Sequence, residues 1–391
     1  MFKLLQLNVT ANWGSTGRIA EQIGIKAIEQ GWDSYIIYGR HMNPSKNKII
    51  KIGNLLTVSE HYLENKLFDN EGLASRFTTL QIINEIKKIN PNVIHLHNIH
   101  DHWLNYSLLF NYLNTTDIRI IWTFHDCWAF TGHCYHFVQS NCKKWQTECK
   151  DCPQRSKYID ASNRNFLLKK RLFTANKNLT IVPVSDWMSN LVKASFLKNK
   201  RIEVIKNGVD LNVFQPIENQ KNKTSLFKIL AVSNVWLSYK GLDDILKLRE
   251  LLSDEYELTI VGLSLKQIQS LPRGICGIKR TQNIQELVKL YNESDVFINV
   301  TYADTFPTVN LEALACGTPV ITYHTGGSPE AVDHKTGIVI PQGDVNALAE
   351  SIRKLKLRPL NSYDCRNRAI HNFDKDQSFA KYIKLYNDIL K

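Results

Sequence analysis

"VFINVTYADTFPTVNLEALACGTPVITYHT", residues 296–325, holds a complete structural unit. The apolar run "VFINVTY" reads as a strand, "TVNLEALA" as a helix of about two turns, and "PVITYHT" as the next strand. Pro307 suits a first helical position, where the N–H it lacks would be unpaired anyway. Gly317 stands just past the helix end. A strand, a helix and a strand on short connections make a parallel sheet covered by helices. Two acids bracket the helix start: Asp304 at the carboxyl end of the strand and Glu312 about one turn inside the helix. The N–H groups of Thr308 and Val309, with the positive end of the helix dipole, suit a phosphate. Acids on either side of such a phosphate suit hydroxyls attached to it. The same stretch also reads as a capped helix with two solvated acids.

The alternation extends over the whole chain. "FKLLQLNV", "SYIIYG", "NVIHLHN", "IRIIWTF" and "LTIVPVS" read as strands in the first half, "FKILAVSN", "YELTIVGL" and "GIVIPQG" in the second. Amphipathic segments such as "GRIAEQIGIKAIEQ", "IQELVKLYNES" and "VNALAESIRKLK" separate them. The polar stretch "NGVDLNVFQPIENQKNKTS" divides two such systems. The expected organisation is α/β: two Rossmann-like, doubly wound domains, 1–206 and 207–374, facing across a cleft. A closing helix, 375–391, is expected to pack back on the N-terminal domain. Ligands of open α/β sheets sit outside the carboxyl ends of the strands.

At 391 residues, with 43% hydrophobic and 22% charged residues, the chain has the composition of a globular protein. No apolar run reaches the roughly 18 residues of a spanning helix. "MFKLLQLNV" has one lysine and no cleavage site, so it reads as a first strand, and a cytoplasmic location with reduced thiols is expected. The net charge of +12 is lopsided: residues 1–206 hold 27 Lys+Arg against 16 Asp+Glu, and 207–391 hold 22 against 21. That asymmetry fits either a solvated surface or attraction to an anionic one, such as a phospholipid leaflet. No helix-turn-helix, zinc-finger or RNP-like signature points to nucleic acid.

Other stretches place polar groups just after strands. "VSNVWLSYKGLDD" contains Asn234 and Lys240-Gly241, and lysine is a compact cation suited to a diphosphate. "TYHTGGSPEAV" sets Gly326, Gly327 and Glu330 between a strand and a short helix. "NVTANWGSTGRIAEQIG" has Gly14 and Gly17 before Arg18, but it is not the dinucleotide fingerprint, and no acid follows "SYIIYGRHM". A dehydrogenase is therefore disfavoured. Arg18 reads equally as one partner of a solvated i,i+3 pair with Glu21. "WTFHDCWAF" ends a strand with His125-Asp126, and "HLHNIHDHW" supplies His95, His97, Asn98, His100 and His102. Alternation puts His95 and His97 on one strand face. With Asp101 the nearby acid and no cysteine, that histidine cluster is a poor metal site.

These motifs resemble the retaining nucleotide-sugar glycosyltransferases of the GT-B class, family 4, over essentially the whole chain. The resemblance implies that Asp304 holds hydroxyls of the donor sugar and Glu312 the ribose. It also implies that Lys240 grips the pyrophosphate, while Phe306, Thr308, Val309, Gly326, Gly327 and Glu330 lie beside the donor. The loop carrying Gly17 and Arg18 would face the donor's phosphates. His125 would bond the transferred sugar, with His97, Asn98 and Asp126 on the acceptor side. Three departures stand out. Asp304 replaces the family's usual Glu, Phe306-Pro307 replaces Phe-Gly, and no Arg precedes Lys240, where Asn234, Val235 and Trp236 stand; Arg280 is a candidate substitute. The missing Arg leaves open a sugar-nucleotide-binding protein without catalysis. The expected partners are a nucleoside diphosphate sugar and a glycan or polyprenyl-diphosphate-linked acceptor of surface polysaccharide assembly, with peripheral contact at the inner membrane face. No catalytic metal is expected.

Cys134, Cys142, Cys149 and Cys152 lie within nineteen residues, and Cys149-x-x-Cys152 has metal-ligand spacing. They read as a candidate structural zinc site or as free thiols in a surface loop.

Overall fold

A computed structural model describes residues 1–154, 158–217 and 226–391. The chain forms two compact units, Met1–Lys206 with Phe379–Lys391, and Asn207–Ser378.

The first unit holds β1 (Lys3–Leu7), α1 (Gly14–Glu29), β2 (Asp33–Tyr38), β3 (Lys48–Lys51), α2 (Leu55–Phe68), α3 (Arg76–Ile89) and β4 (Val93–Leu96). After them come α4 (Tyr106–Leu113), β5 (Arg119–Phe124), α5 (Ser162–Ala175), β6 (Leu179–Pro183), α6 (Asp186–Ala194) and β7 (Arg201–Ile202). Its seven strands run in the order β3-β2-β1-β4-β5-β6-β7, all parallel. Helices cover both faces. Ile82, Ile86, Leu109 and Phe173 belong to the core on one side, Ile19 and Ile23 to that on the other.

The second unit holds β8 (Phe227–Val232), α7 (Leu242–Leu251), β9 (Tyr256–Val261), α8 (Leu265–Gln269), β10 (Ile275–Ile278), α9 (Ile284–Glu293) and β11 (Val296–Asn299). It continues through α10 (Thr308–Ala315), β12 (Val320–Tyr323), β13 (Gly337–Ile340), α11 (Val345–Leu357) and α12 (Ser362–Phe373). Its sheet, β10-β9-β8-β11-β12-β13, is also parallel throughout. In both sheets the order reverses beside the first strand, between β1 and β4 and between β8 and β11. Those switch points are where open α/β sheets take ligands.

Strand existence follows the sequence reading closely, with three additions. β3, β7 and β10 lie at or end the sheet edges and are only two to four residues long. The helix of the opening stretch begins at Thr308, with Pro307 as its extended N-cap (φ −69°, ψ 118°) instead of its first helical residue. The N-terminal part of the polar stretch from Asn207 is packed: Arg366 donates to the Phe214 and Leu211 carbonyls, and Lys375 pairs with Asp210 at 2.6 Å. Residues 218–225 of that stretch fall outside the described residues. The closing helix, α13, runs Lys375–Leu390, and from Phe379 onward it belongs to the first unit. There Phe379, Tyr382 and Tyr386 join the cluster around Leu4 and Ile23.

Candidate active site

In the second unit, β11 delivers Asp304 past its carboxyl end, and the 3-10 turn Ser238–Lys240 before α7 delivers Lys240 past that of β8. The ammonium Nζ donates to Asp304 Oδ2 at 2.9 Å, with both side chains about a quarter exposed (25% and 22%). Burial alone would lower the Lys240 pKa, but the Asp304 carboxylate outweighs it and the net shift is upward. Lys240 is therefore firmly charged at neutral pH.

Two glycines make this approach feasible. Gly241 has φ +79°, and a Cβ there would meet the Val300 carbonyl oxygen at 2.1 Å. Gly326 has φ +55°, and a Cβ would stand 1.7 Å from the Asp304 carbonyl oxygen. Only glycine lets these loops close on the backbone after β11. Gly327 caps the short turn Ser328–Ala331 that carries Glu330, whose carbonyl accepts from Arg368.

No side chain caps the N-terminus of α10, so the Thr308 and Val309 end of the helix carries its dipole uncapped. One turn on, Glu312 is half-buried and accepts a hydrogen bond from the Tyr291 hydroxyl at 3.1 Å. Phe306 is a packing residue: it is 2% exposed, with its ring 5.8 Å from that of Phe373, and it anchors the turn without offering its ring to a ligand. Asn234 is exposed just after β8. Arg280 is exposed after β10, two positions from β8 in the sheet.

A buried support was invisible in the sequence. Tyr302 and Tyr323 both donate to Asp244 Oδ2, at 2.6 and 2.8 Å, tying α7 to the ends of β11 and β12. Gln342 joins the same layer by donating to Thr325 Oγ1 and to the Tyr302 carbonyl. These residues are scattered over a hundred positions with no local signature.

In the first unit, the histidines form a relay at the switch point. The Gln6 amide donates to the Ala20 carbonyl, so its oxygen accepts from His97 Nε2 at 3.0 Å. His97 Nδ1 is then the acceptor for His125 Nε2 at 3.2 Å, with the two rings stacked. Burial pushes His97 well down and His125 to about 4, so both are neutral at pH 7. His95 sits behind them on Tyr386 and Thr123.

Asp126 is held by His100 and by the backbone after it. Its Oδ2 takes His100 Nε2 at 2.8 Å and its Oδ1 takes the Trp128 N–H. Burial would raise the Asp126 carboxyl, but His100 and that N–H hold it at about 2. The same contact raises His100 against its burial. Asn98 is fixed by its backbone, which bonds Asn8, Val9 and Trp103. Gly17 lies against the loop after β1, where a Cβ would meet Thr10 Oγ1 at 2.7 Å. Arg18 is exposed and donates to the Gly14 carbonyl. The alternative pair with Glu21 does not form: Glu21 is 2% exposed and accepts from Ser45, Lys46 and Asn47.

Between β5 and α5, Cys134 and Cys152 approach to 3.9 Å, and His133 Nε2 lies 3.1 Å from Cys152 Sγ. The cysteines form no disulfide. Cys142 and Cys149 line the same small cavity but stand outside the tight group of His133, Cys134 and Cys152.

Comparison with known proteins places this chain. The family model described as Glycosyltransferase Family 4 matches residues 17–213, and that described as Glycosyl transferases group 1 matches 227–356. WcaC of Escherichia coli (strain K12), a glycosyl transferase named for colanic acid biosynthesis, is 24% identical over 99% of this chain and 100% of its own. Among solved structures, sucrose-phosphate synthase from Thermosynechococcus elongatus superposes with a TM-score of 0.77 at 17% identity, over 100% of this chain and 99% of its own. HepE of Anabaena, solved with UDP and glucose, gives 0.69 at 14% identity over 99% and 100%. The chain belongs to glycosyltransferase family 4 and is a GT-B glycosyltransferase built from two parallel-sheet α/β domains.

Proposed function

We propose that the chain moves a sugar from a nucleoside diphosphate sugar to a glycan or polyprenyl-diphosphate-linked acceptor, retaining the anomeric configuration. The setting is assembly of a surface polysaccharide at the cytoplasmic face of the membrane. The observation that carries this reading is the Lys240–Asp304 pair at 2.9 Å beside the uncapped start of α10.

The donor's diphosphate takes Lys240 and the N–H groups of Thr308 and Val309. These positive groups are in place before reaction and stabilise the charge that develops as the bond between the anomeric carbon and the phosphate oxygen breaks. Asp304 keeps Lys240 on Oδ2 and offers Oδ1 to hydroxyls of the donor sugar. Glu312, steadied by Tyr291, accepts from the ribose. His125, neutral at pH 7, bonds the transferred sugar. The acceptor hydroxyl bonds to the anomeric carbon on the face the diphosphate leaves, and its proton passes to a departing phosphate oxygen. No protein base and no catalytic metal is needed, and rate comes from positioning and charge. The missing arginine puts this load on Lys240. UDP in the HepE structure supports a nucleoside diphosphate donor, and the name of WcaC supports a polysaccharide product.

The membrane part rests on α2 and α3 of the first, basic unit. The buried residue of α2 is His61, while Leu55 and Leu56 are 84% and 79% exposed and Phe77 on α3 is 70% exposed. Exposed apolar side chains on a positively charged domain fit an anionic leaflet. Among the described residues no helix is long and apolar enough to cross a membrane.

Incubation with UDP-, GDP- and ADP-sugars, followed by proton NMR of the first sugar released, tests the reaction. The expected result is slow release with one nucleotide class, the new anomer matching the donor's, unchanged by added Mg2+ or Mn2+. An inverted anomer, or no release and no binding with any donor, overturns the reading. Flotation with phosphatidylglycerol vesicles, lost in phosphatidylcholine or high salt, tests the membrane contact; equal behaviour on both lipids overturns it.

A further inference from the structure

Between β5 and α5 lies a long connection, 125–161, whose described residues hold three short 3-10 turns and no other helix or strand. Connections of that length in a compact domain need something to hold them. Phe130, Phe137 and Trp145 supply a small aromatic core, with ring centroids 5.3 and 4.9 Å apart. Beside it lies a cavity of about 20 Å³ lined by Cys134, Cys142, Cys149 and Cys152. That volume holds a single ion or water and excludes a substrate.

We infer that this cavity is a structural zinc site with the four thiolates as ligands. Cys134 Sγ and Cys152 Sγ are 3.9 Å apart. A disulfide requires about 2.05 Å, whereas two thiolates on one tetrahedral zinc, each about 2.3 Å from it, stand roughly 3.8 Å apart. The last pair has the turn a metal needs. Asp151 adopts φ +45°, and the Gln154 N–H, two residues past Cys152, points at its sulfur at 3.4 Å. The Cys152 N–H is itself fixed on Asp160 at 2.7 Å. Donors aimed at sulfur stabilise a thiolate over a thiol.

Two further groups fit a thiolate centre. His133 bridges from the buried Asp69 carboxylate, 2.8 Å from Nδ1, to Cys152 Sγ, 3.1 Å from Nε2. The carboxylate fixes the ring with Nε2 directed at the sulfurs, in the same tight group as Cys134 and Cys152. Lys169 is 1% exposed, donates to the Trp128 and Thr131 carbonyls and rests on the Trp128 ring at 3.5 Å. The Glu71 and Asp126 carboxylates attract its ammonium, and so do the sulfurs of Cys149 and Cys134. A zinc with four thiolates carries a net charge of −2, which compensates such a buried cation. The metal also reaches the acceptor side. Tyr135, next to Cys134, packs on His100 with ring centroids 4.7 Å apart, and His100 holds Asp126.

Metal analysis of the full-length protein purified without chelator, with thiols counted before and after zinc release by a mercurial, tests the inference. The expected result is about one zinc per chain and four thiols protected until it leaves. Cobalt exchange then gives a thiolate charge-transfer absorption with the intensity of four sulfurs. His133→Gln should keep the metal but release it about tenfold faster, while Cys134→Ser should lose it. If Cys134→Ser fails to fold, the wild-type metal and thiol counts decide alone. No metal with four freely reacting thiols, a disulfide in the intact mass, or a cobalt spectrum of only two sulfurs would overturn it. Nucleoside diphosphate binding by the zinc-free protein should persist, so loss of the metal is distinguishable from failure of the donor site.

Discussion

The candidate sites of the two units are built by opposite means. In the second unit, Lys240 and Asp304 are brought together by backbone closeness, with Gly241 and Gly326 set against the carbonyls of Val300 and Asp304. In the first unit, His125 is held by a chain of side chains running from Gln6 through His97. A site closed by glycines tolerates no added carbon, yet it has few groups that titrate near neutrality. A site held by buried neutral histidines tolerates small steric change but is sensitive to acid. Each should therefore fail under a different insult.

The sharpest contrast is steric. Gly326→Ala puts a carbon 1.7 Å from the Asp304 carbonyl oxygen at φ +55°, so Asp304 must move or the loop must open. Activity should fall at least a hundredfold, with a lowered melting temperature of the second unit. Gly31→Ala is the control: φ is +79° but the space around it is open, so only the strain of about 1–2 kcal/mol should appear. Scanning calorimetry and activity of the two variants settle it, and similar losses in both would refute the close-packing explanation.

Acid should separate the units. Burial lowers the pKa of His125 to about 4, that of His61 to about 3, and those of His95 and His97 well below the ordinary value. The unfolded chain takes up these protons near pH 6.5 and the folded unit does not. Their stabilising contribution is therefore complete above about pH 6.5 and is lost as pH falls toward the folded values. For the fully buried His61, moving from pH 6.5 to 5 costs up to about 2 kcal/mol. His100, raised by Asp126, acts the other way, adding stability below pH 6.5 that fades as pH rises through its folded value. The three histidines of the second unit, His324, His334 and His371, are exposed. Calorimetry at pH 7 and 5 should show the first unit's transition falling more than the second's; equal shifts would contradict it.

The smallest expected effect is Tyr291→Phe. Tyr291 is fully buried and its hydroxyl donates to Glu312. Losing that bond should cost about 1–2 kcal/mol of donor binding. Steady-state kinetics should give a donor KM several-fold higher with kcat nearly unchanged. A fall in kcat alone would place Glu312 in the chemistry instead of on the nucleotide.

The same contrast explains what the sequence could tell. Asp304, Thr308, Val309 and Glu312 lie in one strand–turn–helix unit, so their proximity follows from local geometry. The alternating apolar runs likewise point to both parallel sheets, except for β3, β7 and β10, whose two to four residues are too short to rise above the surrounding pattern. The partners in the first unit were not legible in this way. Asp126 bonds His100, and His133 joins Cys134 and Cys152, because both choices depend on which segments cross in space. Tyr302, Tyr323 and Asp244 converge from three separate elements for the same reason.

The most direct test of the donor site is calorimetric titration of UDP, GDP and ADP into the wild type and Lys240→Ala. The expected result is binding of one nucleoside diphosphate to the wild type, weakened about a hundredfold in the variant, since a charge-assisted contact worth roughly 2.7 kcal/mol is removed. Equal affinity in both proteins would contradict the assignment of Lys240 to the diphosphate, and with it the charge stabilisation on which the proposed transfer depends.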